Sequence, residues 1–120
     1  MTAIRIAAIF GFLAVALGAF GAHGLEETLK NNGRTATWET GALYHLVHSV
    51  VLLAVAFALS ASGREEPNLV FWLFAAGITI FSGSLYLLAL TNFTKLGMIT
   101  PLGGLSLLAG WLMLAIRGLK

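Results

Sequence analysis

Four long apolar runs alternate with short polar breaks along this chain. The charge-free stretches are Ile6–Leu25, Thr40–Gly63, Pro67–Thr94 and Leu96–Ile116, each at least twenty residues long. A helix rises about 1.5 Å per residue, so about twenty residues cross a hydrocarbon core of about 30 Å. The pattern therefore predicts an all-α, integral membrane four-helix bundle of antiparallel spans. A single domain over residues 1–120 is expected, with spans at about 4–25, 41–61, 68–90 and 98–116. Four spans leave both termini on the same side.

The breaks refine this layout. The extramembrane loop 26–40 is the only sizeable piece outside the membrane. Within it Glu26-Glu27-Thr28-Leu29-Lys30 fits a short helix, and Asn31-Asn32-Gly33 reads as a turn. Thr35 is a candidate cap for a helix that continues through Trp38 into the second span. Ser62–Pro67 is so short that spans two and three must be antiparallel neighbours. Pro101 falls in the first turn of span four, where a missing N–H matters least.

Composition adds exclusions. Hydrophobic residues make up 58% of the chain and charged residues 10%, against about 25% charged in soluble domains; mean hydropathy is +0.90. The partner of this surface is the lipid bilayer. A net charge of +2, scattered singly, gives no nucleic-acid footprint. Cysteine and aspartate are absent, and all five glutamates lie in loops, which disfavours thiolate metal sites and weakens any ion-coupled carrier. Glu39 is expected to cap the second span or pair with Arg34. Arg5, Arg64, Arg117 and Lys120 lie on the termini side, against Lys30, Arg34 and Lys95 opposite. The positive-inside rule then favours cytoplasmic termini. The first run, with its small residues before Leu25, could pass for a cleavable leader, but small residues equally mark packed membrane helices and a retained span is expected. Trp72 and Trp111 are expected as belt residues near the termini side and Trp38 near the other.

Polar side chains inside the spans are the candidate chemistry. On span two Gly41, Tyr44, His45, His48 and Leu52 share a face; on span three Thr79, Ser82, Gly83 and Tyr86 do. At about 1.5 Å per residue, His48 lies about 10 Å inside the loop-one end, Ser82 about 12 Å and Tyr86 about 6 Å. His23 and Thr100 fall near that boundary. The expectation is a polar cluster of His23, Tyr44, His45, His48, Ser82, Tyr86 and Thr100 in the leaflet away from the termini. Helix-packing stripes are expected at Ala14, Gly18 and Ala22, at Gly83, and at Gly103, Ser106 and Gly110. Such a cluster serves as structural glue, as a binding or permeation site, or as a histidine-based haem or quinone site. No metal signature, nucleophile–base pair or paired acid is present, so no catalytic residue, cofactor or enzymatic activity is expected.

Four stretches taken together carry a family likeness. They are Gly18-Ala19-Phe20-Gly21-Ala22-His23-Gly24-Leu25, then Trp38-Glu39-Thr40-Gly41 with Tyr44, His45 and His48, then Phe81-Ser82-Gly83-Ser84-Leu85-Tyr86, and Thr100-Pro101-Leu102-Gly103-Gly104. In order and spacing they resemble the transmembrane protein 256 family, also called domain of unknown function 423, over nearly the whole chain. Trp38 stands where the family commonly has Phe. The resemblance implies a small polytopic protein of the bacterial cytoplasmic (inner) membrane and supplies no activity. Small size and glycine-rich faces favour a self-associating protein, a homo-oligomer or an accessory subunit of a larger membrane complex. The alternative is a small-molecule or lipid ligand held between the helices, in a cavity lined by His48, Ser82 and Tyr86.

Overall fold

The computed structural model describes residues 1–119; Lys120, counted above among the cations of the termini side, lies outside them. Five α-helices account for the fold: α1 (Ala3–Ala22), α2 (Glu26–Asn32), α3 (Thr35–Ala61), α4 (Leu69–Thr91) and α5 (Thr100–Arg117), with a 3-10 turn at Thr94–Met98. Four of them are long and apolar enough to cross a membrane.

Local chemistry sets the helix ends. Asn68 caps α4 by accepting from the Phe71 N–H at 2.9 Å, and Pro67 precedes it, where no helical N–H is needed. Helix α1 stops before the expected Leu25. The Leu25 N–H turns back to the Phe20 carbonyl at 2.8 Å, a closure that ends helices. Thr35 is the first residue of α3 rather than its cap, and Arg34 precedes it without a side-chain capping bond. Gly33, at φ +67°, ends α2 in the left-handed region that glycine adopts at little cost.

The loop-one end is stitched together by polar groups. Asn32 Nδ2 donates to the carbonyls of Ala89 and Leu90 at 2.9 and 3.1 Å, satisfying acceptors that the last turn of α4 leaves free. Arg34 donates to Asn92 Oδ1 at 2.8 Å, so the expected pairing of Arg34 with Glu39 does not form. Among the described residues the ion pair present is Lys30–Glu26, on the surface of α2. At the opposite end the Ala3 N–H bonds the Glu65 carbonyl at 2.9 Å and Arg64 donates to the Leu119 carbonyl at 3.0 Å. The start of α1, the α3–α4 turn and the end of α5 thus meet at one end of the bundle.

Helices α3 and α4 are the inner pair, with α1 packed on α3 and α5 on α4. The core joins Leu52, Val55, Ala56 and Leu59 to Val70, Phe71, Phe74, Ala75 and Ile78, closed by Ala3 and Ala7 on one flank and Leu107 on the other. Small residues let the flanks approach. A Cβ at Gly103 would overlap the Phe81 backbone, and one at Gly77 would overlap Leu107. Ser106 Oγ donates to the Leu73 carbonyl at 2.7 Å across the same α4–α5 seam. Such close backbone approach is the main source of helix association in lipid, where apolar burial gives no gain over the acyl chains.

Candidate functional site

The expected single polar cluster is divided in two by the helix geometry. Residues 44 and 45 differ by about 100° around a helix, so Tyr44 and His48 turn to the α5 side while Gly41 and His45 turn to α4 and α1. The division follows α3, whose midpoint is His48.

On the α1 side, His45 Nδ1 and Tyr86 Oη share a buried hydrogen bond of 2.8 Å between α3 and α4. One turn away Ser82 Oγ donates to the Gly41 carbonyl at 2.7 Å, and Ser49 Oγ donates to the His45 carbonyl at 2.7 Å. Trp38 lies over Tyr86, ring centroids 4.6 Å apart, and donates its indole N–H to the Leu17 carbonyl of α1 at 3.0 Å. That seat exists because residue 21 is glycine: any Cβ there would overlap the indole. Trp38 is 2% exposed, so it is a core residue and not the interfacial belt residue expected from its position. Every buried polar side-chain atom among the described residues has a partner. The polar groups of this half are satisfied by direct hydrogen bonds, beside an open hollow of about 200 Å³ between α1 and α4 that His45, Ser82 and Tyr86 help to line.

On the α5 side, the Trp111 indole N–H donates to His48 Nε2 at 3.1 Å. His48 Nδ1 bonds the Tyr44 carbonyl at 2.9 Å. An indole N–H only donates and a carbonyl only accepts, so the proton sits on Nδ1 and His48 is held as one neutral tautomer. Tyr44 stacks on His48 with 9° between the rings and leans on Phe81 at 4.7 Å. Trp111, expected as a belt residue, keeps an exposed ring edge and is also the partner of His48. A cleft of about 510 Å³ opens here, lined by Tyr44, His48 and Phe81 on one wall and by α5 from Pro101 to Trp111 on the other.

The remaining expected residues lie elsewhere. Thr100 hydrogen-bonds Ser84 across the α4–α5 seam, 2.5 Å between oxygens. His23 is exposed beyond α1, in a surface hollow with Glu26, Glu27 and Lys30. It belongs to neither cluster and cannot face His48 across a haem. Nor do His48, Ser82 and Tyr86 line one cavity, because α3 turns His48 away from the other two. Among the described residues no three His, Cys, Asp or Glu side chains converge as for a metal ion. Of the small-residue positions, Gly103, Ser106 and Gly110 build the α4–α5 seam and Ala14 is buried; Gly18 and Gly83 face open space and Ala22 is exposed.

Sequence reasoning missed Trp111, Gly21, Gly77 and Ser84. The signal for Gly21 was its place in a small-residue run; nothing in one sequence pairs it with Trp38 or pairs Trp111 with His48.

Four apolar helices joined in this way define a multi-pass α-helical integral membrane protein. Residues 17–104 match the family described as "Protein of unknown function (DUF423)", and the chain belongs to it. It is similar to the UPF0382 membrane protein YwdK of Bacillus subtilis, 45% identical over 98% of this chain and 95% of that protein. A UPF0382 membrane protein of Haemophilus influenzae is 40% identical over 98% of this chain and 93% of its own length. The UPF0382 inner membrane protein YgdD of Escherichia coli is 39% identical over 95% and 86%. No solved structure matches. These relatives and the four apolar helices locate the chain in the bacterial cytoplasmic (inner) membrane, in contact with lipid.

Proposed function

We propose that this protein is a non-catalytic subunit that self-associates, or joins a larger membrane complex, through the outer face of α1. The supporting observation is a contrast among its glycines. Gly21, Gly77, Gly103 and Gly110 each lie where a Cβ would press on a neighbouring helix, whereas Gly11 and Gly18 on α1 have nothing within 4 Å. With Ala8, Val15 and Ala22 they form a half-open or exposed stripe at i, i+3, i+7, i+10 and i+14. Glycine costs a helix about 1 kcal/mol relative to alanine, and in lipid that cost is offset where another helix packs closely. A further helix against this stripe would supply that contact.

The chain has no cysteine, so a single introduced one reports on one position. Gly18→Cys in native membranes should form an oxidative cross-link, to a second copy or to a partner of different mass. Native mass spectrometry of lightly solubilised membranes should show the same species. Monomers alone, with no cross-link from position 11, 15 or 18, would end this reading.

A further inference from the structure

We infer that the cleft between α3 and α5 binds a carbonyl-headed, long-chain molecule drawn from the bilayer, with the Tyr44 hydroxyl donating to its carbonyl. The inference goes beyond the proposed subunit role and does not depend on it, since no α1 residue lines the cleft.

Size comes first. At about 510 Å³ the cleft falls within the range of about 300–1,000 Å³ typical of ligand pockets. A second hollow of about 200 Å³, lined by Leu43, Tyr44, Val47 and His48, flanks the same two rings. The opening faces where acyl chains run: Leu105, Leu108 and Trp111 on its α5 wall are 62%, 65% and 44% exposed. The occupant must therefore enter from lipid and be mostly apolar.

Polarity fixes its head. His48 is already saturated, donating to the Tyr44 carbonyl and accepting from Trp111. The Tyr44 hydroxyl has no partner among the described residues, and hydrocarbon offers it none. An unengaged donor beside an apolar cleft is matched by an acceptor that carries no donor of its own, and just inside the hydrocarbon boundary, below the headgroup phosphates, the acceptors that bilayer molecules offer are chiefly carbonyls. Depth agrees. Tyr44 packs on Phe81, and Gly103 packs on the Phe81 backbone, three residues into α5. With Thr100 at the membrane boundary, this level is about 5 Å inside it. Trp111 lies about 12 Å deeper still, leaving a track along which a chain runs from the head toward the bilayer centre. Two bilayer molecules share this chemistry: a glycerolipid through its ester carbonyl, and an isoprenoid quinone through its ring carbonyl.

Trp111 supplies the reporter. In a Trp72→Phe background it is the one lipid-exposed tryptophan, because Trp38 is buried. The full chain in nanodiscs of diether phosphatidylcholine, a host without ester carbonyls, is titrated in one arm with ester-linked phosphatidylglycerol brominated along its acyl chains, and in the other with a decyl-tailed benzoquinone. Quenching of Trp111 should saturate in one arm, which identifies the source. Tyr44→Phe keeps the ring and removes only the donor, so it should weaken apparent affinity about tenfold, as losing one hydrogen bond does. Gly104→Leu places a side chain in the cleft from a position where a Cβ meets only Phe81 at 3.8 Å; it should abolish saturation while circular dichroism shows the helices intact. Quenching that grows in proportion to quencher in both arms overturns the inference. Saturation that neither variant shifts does the same. A response to Gly104→Leu alone overturns the carbonyl contact.

Discussion

Trp111 and His48 are joined by a 3.1 Å hydrogen bond that runs directly between α5 and α3. The extensive seams of the bundle are α1–α3, α3–α4 and α4–α5, so this bond ties two helices that otherwise meet mainly through α4. It also fixes His48 as the Nδ1–H tautomer. Trp111→Phe keeps most of the aromatic packing against Phe74, whose ring lies 5.2 Å away, and deletes only the donor. The expected cost is about 1 kcal/mol, in the range measured for interhelical hydrogen bonds in membranes, read as a lower midpoint in detergent unfolding.

Tyr86→Phe should cost more than Ser82→Ala, although both remove one bond between α3 and α4. Losing the phenol leaves a ring nitrogen of His45 buried without its partner, a penalty of about 1–3 kcal/mol. Losing the Ser82 hydroxyl leaves the Gly41 carbonyl, whose position inside α3 already gives it a helical donor. That change should cost about 0.5–1 kcal/mol. Equal midpoints for the two variants in the same unfolding assay would refute this ordering.

Glycine replacements should separate the inner seams from the outer face. Gly103→Ala sets a methyl group into the Phe81 backbone, which cannot yield as a flexible side chain would. Overpacking of this kind costs about 1–3 kcal/mol or more, and α5 should detach from α4 first. Gly18→Ala meets nothing within the chain and should leave monomer stability unchanged or slightly raised, through helix propensity. Thermal unfolding of the two variants at equal protein-to-detergent ratio makes the comparison.

How much of this was legible in the sequence follows from what each feature depends on. The spans were, because crossing lipid needs only length and apolarity; the main slip, at the end of α1, came from a run that stays apolar past the point where the backbone turns at His23. The short helix after Leu25 and the start near Thr35 were legible from local turn chemistry. Helical periodicity placed Tyr44, His45 and His48 on one broad face. It could not show that α4 meets that face along a line between His45 and His48, because the line depends on helix rotation. Trp38 misled for a related reason: an indole near a span end is interfacial only if no space inside the bundle fits it better, and the partner that Trp111 finds in His48 depends on helix rotation in the same way. Gly21 opens a seat for Trp38, and His48 with Phe74 receives Trp111; neither is written near the tryptophan it meets.

Orientation in the membrane is the remaining expectation that a direct measurement checks. The end formed by the start of α1, the α3–α4 turn and the end of α5 carries Arg5, Arg64 and Arg117, while Lys30, Arg34 and Lys95 lie at the other. Arg34 is engaged with Asn92, and Lys30 is paired with Glu26. The positive-inside rule weighs lysine and arginine flanking the spans whatever acidic residues accompany them; counted along the sequence, where Lys120 follows the last span, four such residues stand against three, so the termini side should be cytoplasmic. Glu66→Cys and Glu27→Cys place thiols at exposed positions at the two ends. In intact spheroplasts a membrane-impermeant maleimide should label Glu27→Cys at once and Glu66→Cys only after permeabilisation. The reverse pattern would invert the protein. Labelling of both in intact cells would mean that the two ends do not face opposite sides of the membrane, and the four-span layout itself would fail.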